Sequence, residues 1–237
     1  MRKIIAALAI LLAAACGGED RDERGAAPAQ STQAEAAPSE PVSEDAAPPS
    51  EAVASPPTLA DGFTWPATAM RAKIVTSMGD IDVELYPDKA PKSVASFLQY
   101  ATDGHYDRLI FHRVVAGFVI QGGGYSKSYI ERPTRAPIPY EGDNGLPNYR
   151  TTLAMARTPD PDSATSQFFI SLQDNNDQLD HFVNDLGPRY GYAVFGRVIG
   201  GMEVVDAIGA VVTGPGGPFE AEVPQEAVVI IRVDPAE

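Results

Sequence analysis

The run LIFHRVVAGFVIQGGG, residues 109–124, is the most apolar stretch after the N-terminus, and the rest of the chain is interpreted from it. Ala116 and Gly117 divide it into two segments that are typical of short strands. Arg113 lies in the first segment and Gln121 in the second. Because burying an unpaired charge is costly, Arg113 needs a partner or a function. We interpret the run as one wall of a peptide-binding groove, and the glycines that end it as a sharp turn.

The composition restricts the class of protein before any other motif is considered. The chain has 237 residues and a formal net charge of −14, so no basic face for nucleic acid is expected. A single cysteine excludes an internal disulfide and a thiolate metal cluster. The three histidines, His105, His112 and His181, lack a compact metal-ligand spacing, and we therefore predict no metal site.

The N-terminal segment has the pattern of an export signal. Arg2 and Lys3 precede an apolar stretch that is shorter than the roughly 20 residues of a membrane span. The sequence LAAAC, which ends at Cys16, resembles a bacterial lipoprotein lipobox, although Ala13 stands where that pattern usually has leucine. We predict a signal peptide over residues 1–15 and lipidation of Cys16. The alternative is an ordinary signal peptide with an incidental cysteine.

Residues 16–68 are predicted to form a disordered tether. Alanine, proline, serine and glutamate dominate this segment, which offers too little apolar surface to offset the entropy of ordering. The resemblance to lipoproteins, with Gly17 rather than aspartate after the cysteine, implies anchoring at the outer membrane, facing the periplasm. A soluble periplasmic protein is the alternative location.

Residues 69–235 are predicted to form one globular domain. Helical periodicity occurs between Val94 and Ala101, and a second short helix is predicted over 202–208. About eight segments are typical of strands, and most are connected as hairpins, which favours a mainly β, closed antiparallel barrel over a βαβ fold. The segments 174–188 and 214–218 are predicted to be a loop and a turn.

The candidate groove contains no pattern for nucleophilic catalysis. Ser163, Ser166 and Ser171 lack a Gly-x-Ser-x-Gly context. Rotation about an X–Pro bond needs no nucleophile, because its barrier of about 20 kcal/mol comes from amide resonance. A fixed guanidinium near the proline nitrogen would stabilise the twisted amide more than the planar one. This reaction requires no cofactor.

Several motifs in one order resemble cyclophilins, the cyclosporin-binding class of peptidyl-prolyl cis-trans isomerases. They are FHRVVAGFVIQGG (111–123), TLAMAR (152–157), SQFFI (166–170) and, more loosely, GYAVFGRVIGGMEVVDAI (191–208). The resemblance implies a closed eight-stranded antiparallel barrel capped by two helices and isomerase activity (EC 5.2.1.8). It also implies a monomer that binds proline-containing segments of unfolded or exported proteins without a cofactor.

The resemblance also implies a role for individual residues. Arg113 is the expected catalytic arginine. The expected substrate-binding residues are Phe118, Val119, Gln121, Ala156, Arg157, Gln167, Phe169, Leu179 and Tyr192. Many members of the family have methionine at the position of Val119, and many eukaryotic members have asparagine at Arg157 and histidine at Tyr192. Gln178 replaces the tryptophan linked to tight cyclosporin binding, so we predict weak inhibition. Trp65 is expected to lie outside the site.

Simpler interpretations of these residues remain open at this point. Arg113 could be a buried ion-pair partner, and Phe118 and Phe169 could be ordinary core. Two other functions compete: a peptide-binding or chaperone module without catalysis, and an envelope adhesin or scaffold. Binding alone does not require Arg113, and an adhesin would show an apolar surface rather than a groove. We therefore predict a lipid-anchored isomerase that assists the folding of exported proteins at the cell envelope.

Overall fold

The computed structural model describes residues 62–236. The predicted signal peptide, Cys16 and the predicted tether up to residue 61 lie outside these residues. The strands are β1 Met70–Thr76, β2 Gly79–Leu85, β3 Leu109–Val115, β4 Val119–Ser126, β5 Thr152–Met155, β6 Phe168–Ser171, β7 Phe182–Asn184, β8 Gly187–Arg189, β9 Val194–Gly200, β10 Thr213–Gly216, β11 Phe219–Pro224 and β12 Val229–Ala236. The helices are α1 Pro91–Thr102, α2 Asn176–Leu179 and α3 Met202–Gly209. In this part of the chain, no helix is both long and apolar enough to cross a membrane.

Eight of the strands close into a barrel in the order β1-β12-β3-β4-β6-β5-β9-β2. All of the pairings between these strands are antiparallel. The mainly β, closed eight-stranded barrel predicted from the sequence is therefore confirmed. The two predicted helices are α1 and α3, and the structure adds the single-turn helix α2.

Alternation along the strands divides the apolar residues between two clusters. In β2, Ile81, Val83 and Leu85 are fully buried, whereas the residues between them are partly exposed. Successive side chains of a strand point to opposite faces, so one set fills the barrel interior. Phe97 of α1 belongs to this interior cluster and meets Phe168 of β6 at a ring-centroid distance of 5.5 Å. Pro91 at the first turn of α1 suits a helix start, since its missing N–H needs no partner there.

The second cluster covers the outer face of β4, β6, β5 and β9. Its buried strand residues include Val119, Phe169 and Val194. Each of them is next in sequence to a residue of the interior cluster. Trp65 joins this outer cluster, with 3% of its surface exposed, and stacks on Tyr86 at 5.9 Å. The packed structure therefore includes residues that precede position 69.

The glycines at 122–124 are not the turn predicted from the sequence, because they lie inside β4. A Cβ atom at Gly123, where φ is +86°, would lie 2.8 Å from the carbonyl oxygen of Ser166. A Cβ atom at Gly124 would lie 2.7 Å from the Gln167 side chain. These glycines therefore allow the segment that leads into β6 to approach β4 closely.

Two small hairpins lie outside the barrel, where the sequence predicts a loop and a turn. β7 pairs with β8 over residues 182–189, and β10 pairs with β11 around the glycine-rich stretch 214–217. The loop prediction for 174–188 was wrong, whereas the turn prediction holds for residues 217 and 218, which connect β10 and β11. The strands β7 and β8 have three residues each and are mostly exposed, so they show no apolar alternation.

Candidate active site

Neighbouring barrel strands bring the key side chains into one row. Arg113 on β3 pairs with Gln121 on β4, and Gln121 pairs with Phe169 on β6. Cross-strand partners point to the same face of a sheet, so these three side chains share the outer face of the barrel. The strand register therefore places a guanidinium, an amide and an aromatic ring side by side.

This row forms part of a pocket in the outer surface. The residues that line the pocket are Arg113, Phe118, Val119, Gln121, Ala156, Arg157, Phe169, Leu179 and Tyr192. They include every site residue predicted for substrate or catalysis except Gln167. Gln121 Nε2 donates a 3.0 Å hydrogen bond to Gln167 Oε1, so Gln167 acts on the pocket through Gln121. The side-chain oxygen Oε1 of Gln121 and the side-chain nitrogen Nε2 of Gln167 are not used in this bond and can bind a peptide backbone.

The turn between β3 and β4 presents Phe118 to the pocket. Phe118 N donates to Val115 O at 2.9 Å, and Gly117 supplies the positive φ of +68° within this turn. The carbonyl oxygen of Phe118 accepts two hydrogen bonds of 2.9 Å, from Leu172 N and from the side-chain amide of the buried Asn175. These bonds fix the aromatic ring at the edge of the groove.

A buried asparagine holds the wall that contains Leu179. Asn148 is fully buried, and its side-chain amide donates to Leu179 O at 3.2 Å and to Asp180 Oδ1 at 2.8 Å. Tyr192 N also donates to Leu179 O, at 2.8 Å. Burial raises the pKa of Asp180, and the hydrogen bonds from Asn148 oppose that rise. Leu179 and Tyr192 are thereby joined although they are far apart in sequence.

Arg157 lines the pocket, but its guanidinium is largely occupied by backbone carbonyl groups. Nε donates to Gly191 O at 3.0 Å, Nη1 donates to Thr158 O at 2.8 Å, and Nη2 donates to Tyr190 O. The same guanidinium lies 4.9 Å from the centre of the Tyr192 ring. The sequence predicts that Arg157 borders a subsite. In the structure Arg157 also holds the segment 190–192, which brings Tyr192 into the pocket lining.

Glu222 is a residue of the site that the sequence analysis missed. Its Oε2 accepts a 2.7 Å hydrogen bond from Arg113 Nε, and the side chains of Arg113 and Glu222 are 36% and 42% exposed. Arg113 is therefore ion-paired at the pocket edge rather than buried and unpaired. Glu222 has φ of +66°, which non-glycine residues rarely adopt. No local pattern reveals this pair, because the two residues are 109 positions apart.

The β10–β11 hairpin that carries Glu222 is anchored on β3 by an aromatic contact. Phe219 of β11 stacks on His112 with a centroid distance of 5.6 Å and an interplanar angle of 28°. Tyr125 packs against the same imidazole at 4.8 Å. Burial, together with the positive charge of Arg113, lowers the pKa of His112 to about 4. The imidazole is neutral near pH 7 and serves as an apolar support beside the guanidinium.

The two remaining sequence predictions concern residues outside the pocket. Gln178 is exposed on α2 and is not among the lining residues. Trp65 does not line the pocket either, but it packs in the same outer cluster as Val119 and Phe169. The tryptophan is therefore part of the same packed outer layer as the pocket without lining it.

Comparisons with known proteins identify the family. Residues 71–234 match the family model described as cyclophilin type peptidyl-prolyl cis-trans isomerase/CLD. The chain belongs to this family. This cyclophilin is 51% identical over 158 residues to a peptidyl-prolyl cis-trans isomerase of Acinetobacter baylyi, covering 67% of this chain and 81% of the relative. It is 47% identical over 165 residues to peptidyl-prolyl cis-trans isomerase B of Escherichia coli, covering 68% and 97% of the two chains.

Solved structures of cyclophilins have the same fold. A crystal structure of a Cryptosporidium parvum cyclophilin-type isomerase is 25% identical to this chain, with a TM-score of 0.57. The match covers 72% of this chain and 99% of the parasite protein. A second crystal structure of that parasite protein was determined in the presence of the dipeptide Ala-Pro. The family, the fold and the enzyme class predicted from the sequence are thus confirmed.

The pocket of this cyclophilin offers binding groups and two guanidinium groups rather than a reactive group. The guanidinium of Arg157 is largely occupied by backbone carbonyl groups, which leaves that of Arg113 as the cationic donor for a substrate. The lining residues include no serine, cysteine, histidine, aspartate or glutamate. Within residues 62–236, no three potential metal-ligating side chains converge on a metal site. The arrangement can hold an apolar ring, bind a peptide backbone through amides and direct a guanidinium at one atom.

Proposed function

We propose that Arg113 catalyses prolyl isomerisation by stabilising the twisted X–Pro amide. The observation that carries this proposal is the row formed by Arg113, Gln121 and Phe169 across three neighbouring strands. A proline ring packed on Phe169 and a backbone held by Gln121 would lie beside the guanidinium. The pocket thereby presents a cation to the proline nitrogen without a competing nucleophile.

The stabilisation acts mainly on the transition state. In the planar amide the nitrogen lone pair is delocalised, whereas in the twisted amide it becomes a hydrogen-bond acceptor. The Arg113 Nε atom is taken by Glu222, so the two terminal amino groups of the guanidinium are the donors for substrate. Lowering the barrier by about 7 kcal/mol would accelerate rotation roughly 10⁵-fold.

A protease-coupled isomerisation assay with a tetrapeptide tests this mechanism. We expect Arg113→Ala to reduce kcat/KM by about 10²- to 10³-fold, which is typical for removal of one transition-state donor. Arg113→Lys keeps the charge but loses the planar fork, so it should retain only part of the activity. Activity of Arg113→Ala within threefold of the wild type would show that the guanidinium is not the transition-state donor.

We further propose that the enzyme acts on exported proteins while anchored to the envelope through lipidated Cys16. The motif LAAAC and the apolar segment before it support this proposal. Cys16→Ser should move the protein from the membrane fraction to the soluble fraction. The activity of the isomerase on the tetrapeptide should stay the same, because residue 16 precedes the packed domain. A Cys16→Ser protein that remains in the membrane fraction would contradict lipid anchoring.

A further inference from the structure

The β7–β8 hairpin carries an unusual concentration of exposed apolar side chains. Four of the ten exposed large hydrophobic residues of the described chain lie within 182–190. Leu186 is 97% exposed and Val183 is 70% exposed, while Phe182 and Tyr190 are 40% and 45% exposed. Single exposed apolar residues are common, but a group on one short element indicates a binding surface.

The hairpin is continuous with the pocket at both of its ends. Leu179 lies just before β7 and Tyr192 lies just after β8, and both residues line the pocket. The hydrogen bond from Tyr192 N to Leu179 O closes the base of the hairpin. Arg157 adds bonds to the carbonyl groups of Tyr190 and Gly191. The apolar surface is therefore held in a fixed relation to the pocket.

The residues nearest the hairpin tip are the least covered. The Arg189 guanidinium lies 5.0 Å from the centre of the Phe182 ring and donates to Asp177 O at 3.1 Å. This contact covers part of Phe182. Val183 pairs across the hairpin with Pro188, and neither Val183 nor Leu186 packs in either apolar cluster. These two side chains are therefore available to a partner.

We propose that the β7–β8 hairpin binds apolar segments of an unfolded polypeptide that flank the proline held in the pocket. This inference rests on the proposed function, because it assumes that the pocket binds the X–Pro bond. From Tyr192 to Leu186 an extended chain spans roughly 20 Å, at about 3.3 Å per residue. A client residue about six positions from the proline therefore reaches the tip, whereas a tetrapeptide does not.

Charge favours a polypeptide over an anionic membrane surface as the occupant. The segment 177–189 carries Asp177, Asp180 and Asp185 against Arg189 and the histidine at 181, and the whole chain has a net charge of −14. Anionic lipid headgroups attract basic segments and repel acidic ones. A second copy of the chain, equally acidic, would be repelled for the same reason.

The test compares the activity of the full-length protein on a short and on a long substrate. The short substrate is a tetrapeptide with one Ala-Pro bond, and the long one is a reduced, carboxymethylated ribonuclease whose refolding is limited by prolyl isomerisation. The double variant Val183→Ser and Leu186→Ser removes the two most exposed of the four apolar side chains. Ile130→Ser is the matched control, because Ile130 is 69% exposed and does not line the pocket.

The measured quantity is the ratio of kcat/KM on the ribonuclease to kcat/KM on the tetrapeptide. We expect this ratio to fall at least threefold in the double variant and to stay at the wild-type value in Ile130→Ser. An unchanged ratio in the double variant, with an active wild type, overturns the inference and leaves the proposed function standing. The inference is also overturned if the wild type sediments with phosphatidylglycerol vesicles and the double variant does not, while the ratio of the two kcat/KM values is unchanged. A wild type that fails on the tetrapeptide refutes the proposed function itself.

Discussion

Removing Glu222 should separate the activity of the enzyme from its stability. The Glu222 carboxylate holds Arg113 Nε at 2.7 Å, and the residue itself has φ of +66°. We expect Glu222→Gly to release the guanidinium and also to relieve the backbone strain. The variant should therefore lose activity without losing stability, which is unusual for a mutation beside a functional residue.

The magnitudes follow from exposure and conformation. An ion pair with side chains 36% and 42% exposed contributes about 0–1 kcal/mol to stability. A left-handed conformation costs a non-glycine residue roughly 1–2 kcal/mol, part of which glycine returns as greater entropy of the unfolded chain. The free energy of unfolding should thus stay within about 1 kcal/mol of the wild type. The freed Arg113 side chain has about 2 kcal/mol of rotamer entropy, and we expect roughly half of that to be lost when it is ordered in the transition state. This cost corresponds to a decrease in kcat/KM of about five- to tenfold.

The assay combines urea unfolding with isomerisation of the tetrapeptide. Glu222→Gln keeps a neutral acceptor, so its kcat/KM should lie between that of the wild type and that of Glu222→Gly. Glu220→Gln is the control, because it removes one exposed acidic charge from the same strand β11. If Glu222→Gly has a kcat/KM within twofold of the wild type, or a higher one, the carboxylate does not position Arg113 and the reasoning is refuted.

Two further predictions concern the support of the site. Because the pKa of His112 is lowered to about 4 from 6.5, the unfolded chain binds more protons between these pH values, and the free energy of unfolding should fall by up to about 3 kcal/mol as the pH drops through that window. A His112→Phe variant should show a flatter pH profile of urea unfolding, and an equally steep profile would exclude His112 as the cause. Trp65→Ala should lower the free energy of unfolding by about 3 kcal/mol, since the ring is 3% exposed and stacks on Tyr86. A loss below 1 kcal/mol in thermal or urea unfolding would show that the segment before β1 does not stabilise the domain.

The barrel could be predicted from the sequence because its strands obey a local rule. Residues such as Ile81, Val83 and Leu85 alternate with polar ones, and the alternation alone indicates a strand with one buried face. The hairpins β7–β8 and β10–β11 obey no such rule, because they lie on the surface and contain proline and glycine. The glycines of β4 were misinterpreted because close approach between strands leaves the same sequence signal as a turn.

The site was predictable only where its residues lie within motifs. Arg113, Gln121 and Phe169 belong to long motifs of the family, so their positions could be assigned before the register was known. Glu222 lies outside every motif and reaches Arg113 through a separate hairpin. The packing of Trp65 was missed because the segment before it has the composition of a tether, and composition does not report a single aromatic contact.

The pairing of β1 with β12 affects when the domain can fold. The first and last strands are neighbours in the barrel, with Arg71 opposite Ala236, so β1 has only β2 as a partner until the final strand is present. A ribosome supplies the strands in order, and β12 is the last of the eight barrel strands to be made. Contacts between such distant segments form slowly, and incomplete chains expose unpaired strand edges. The barrel is therefore expected to close only after β12 has been made.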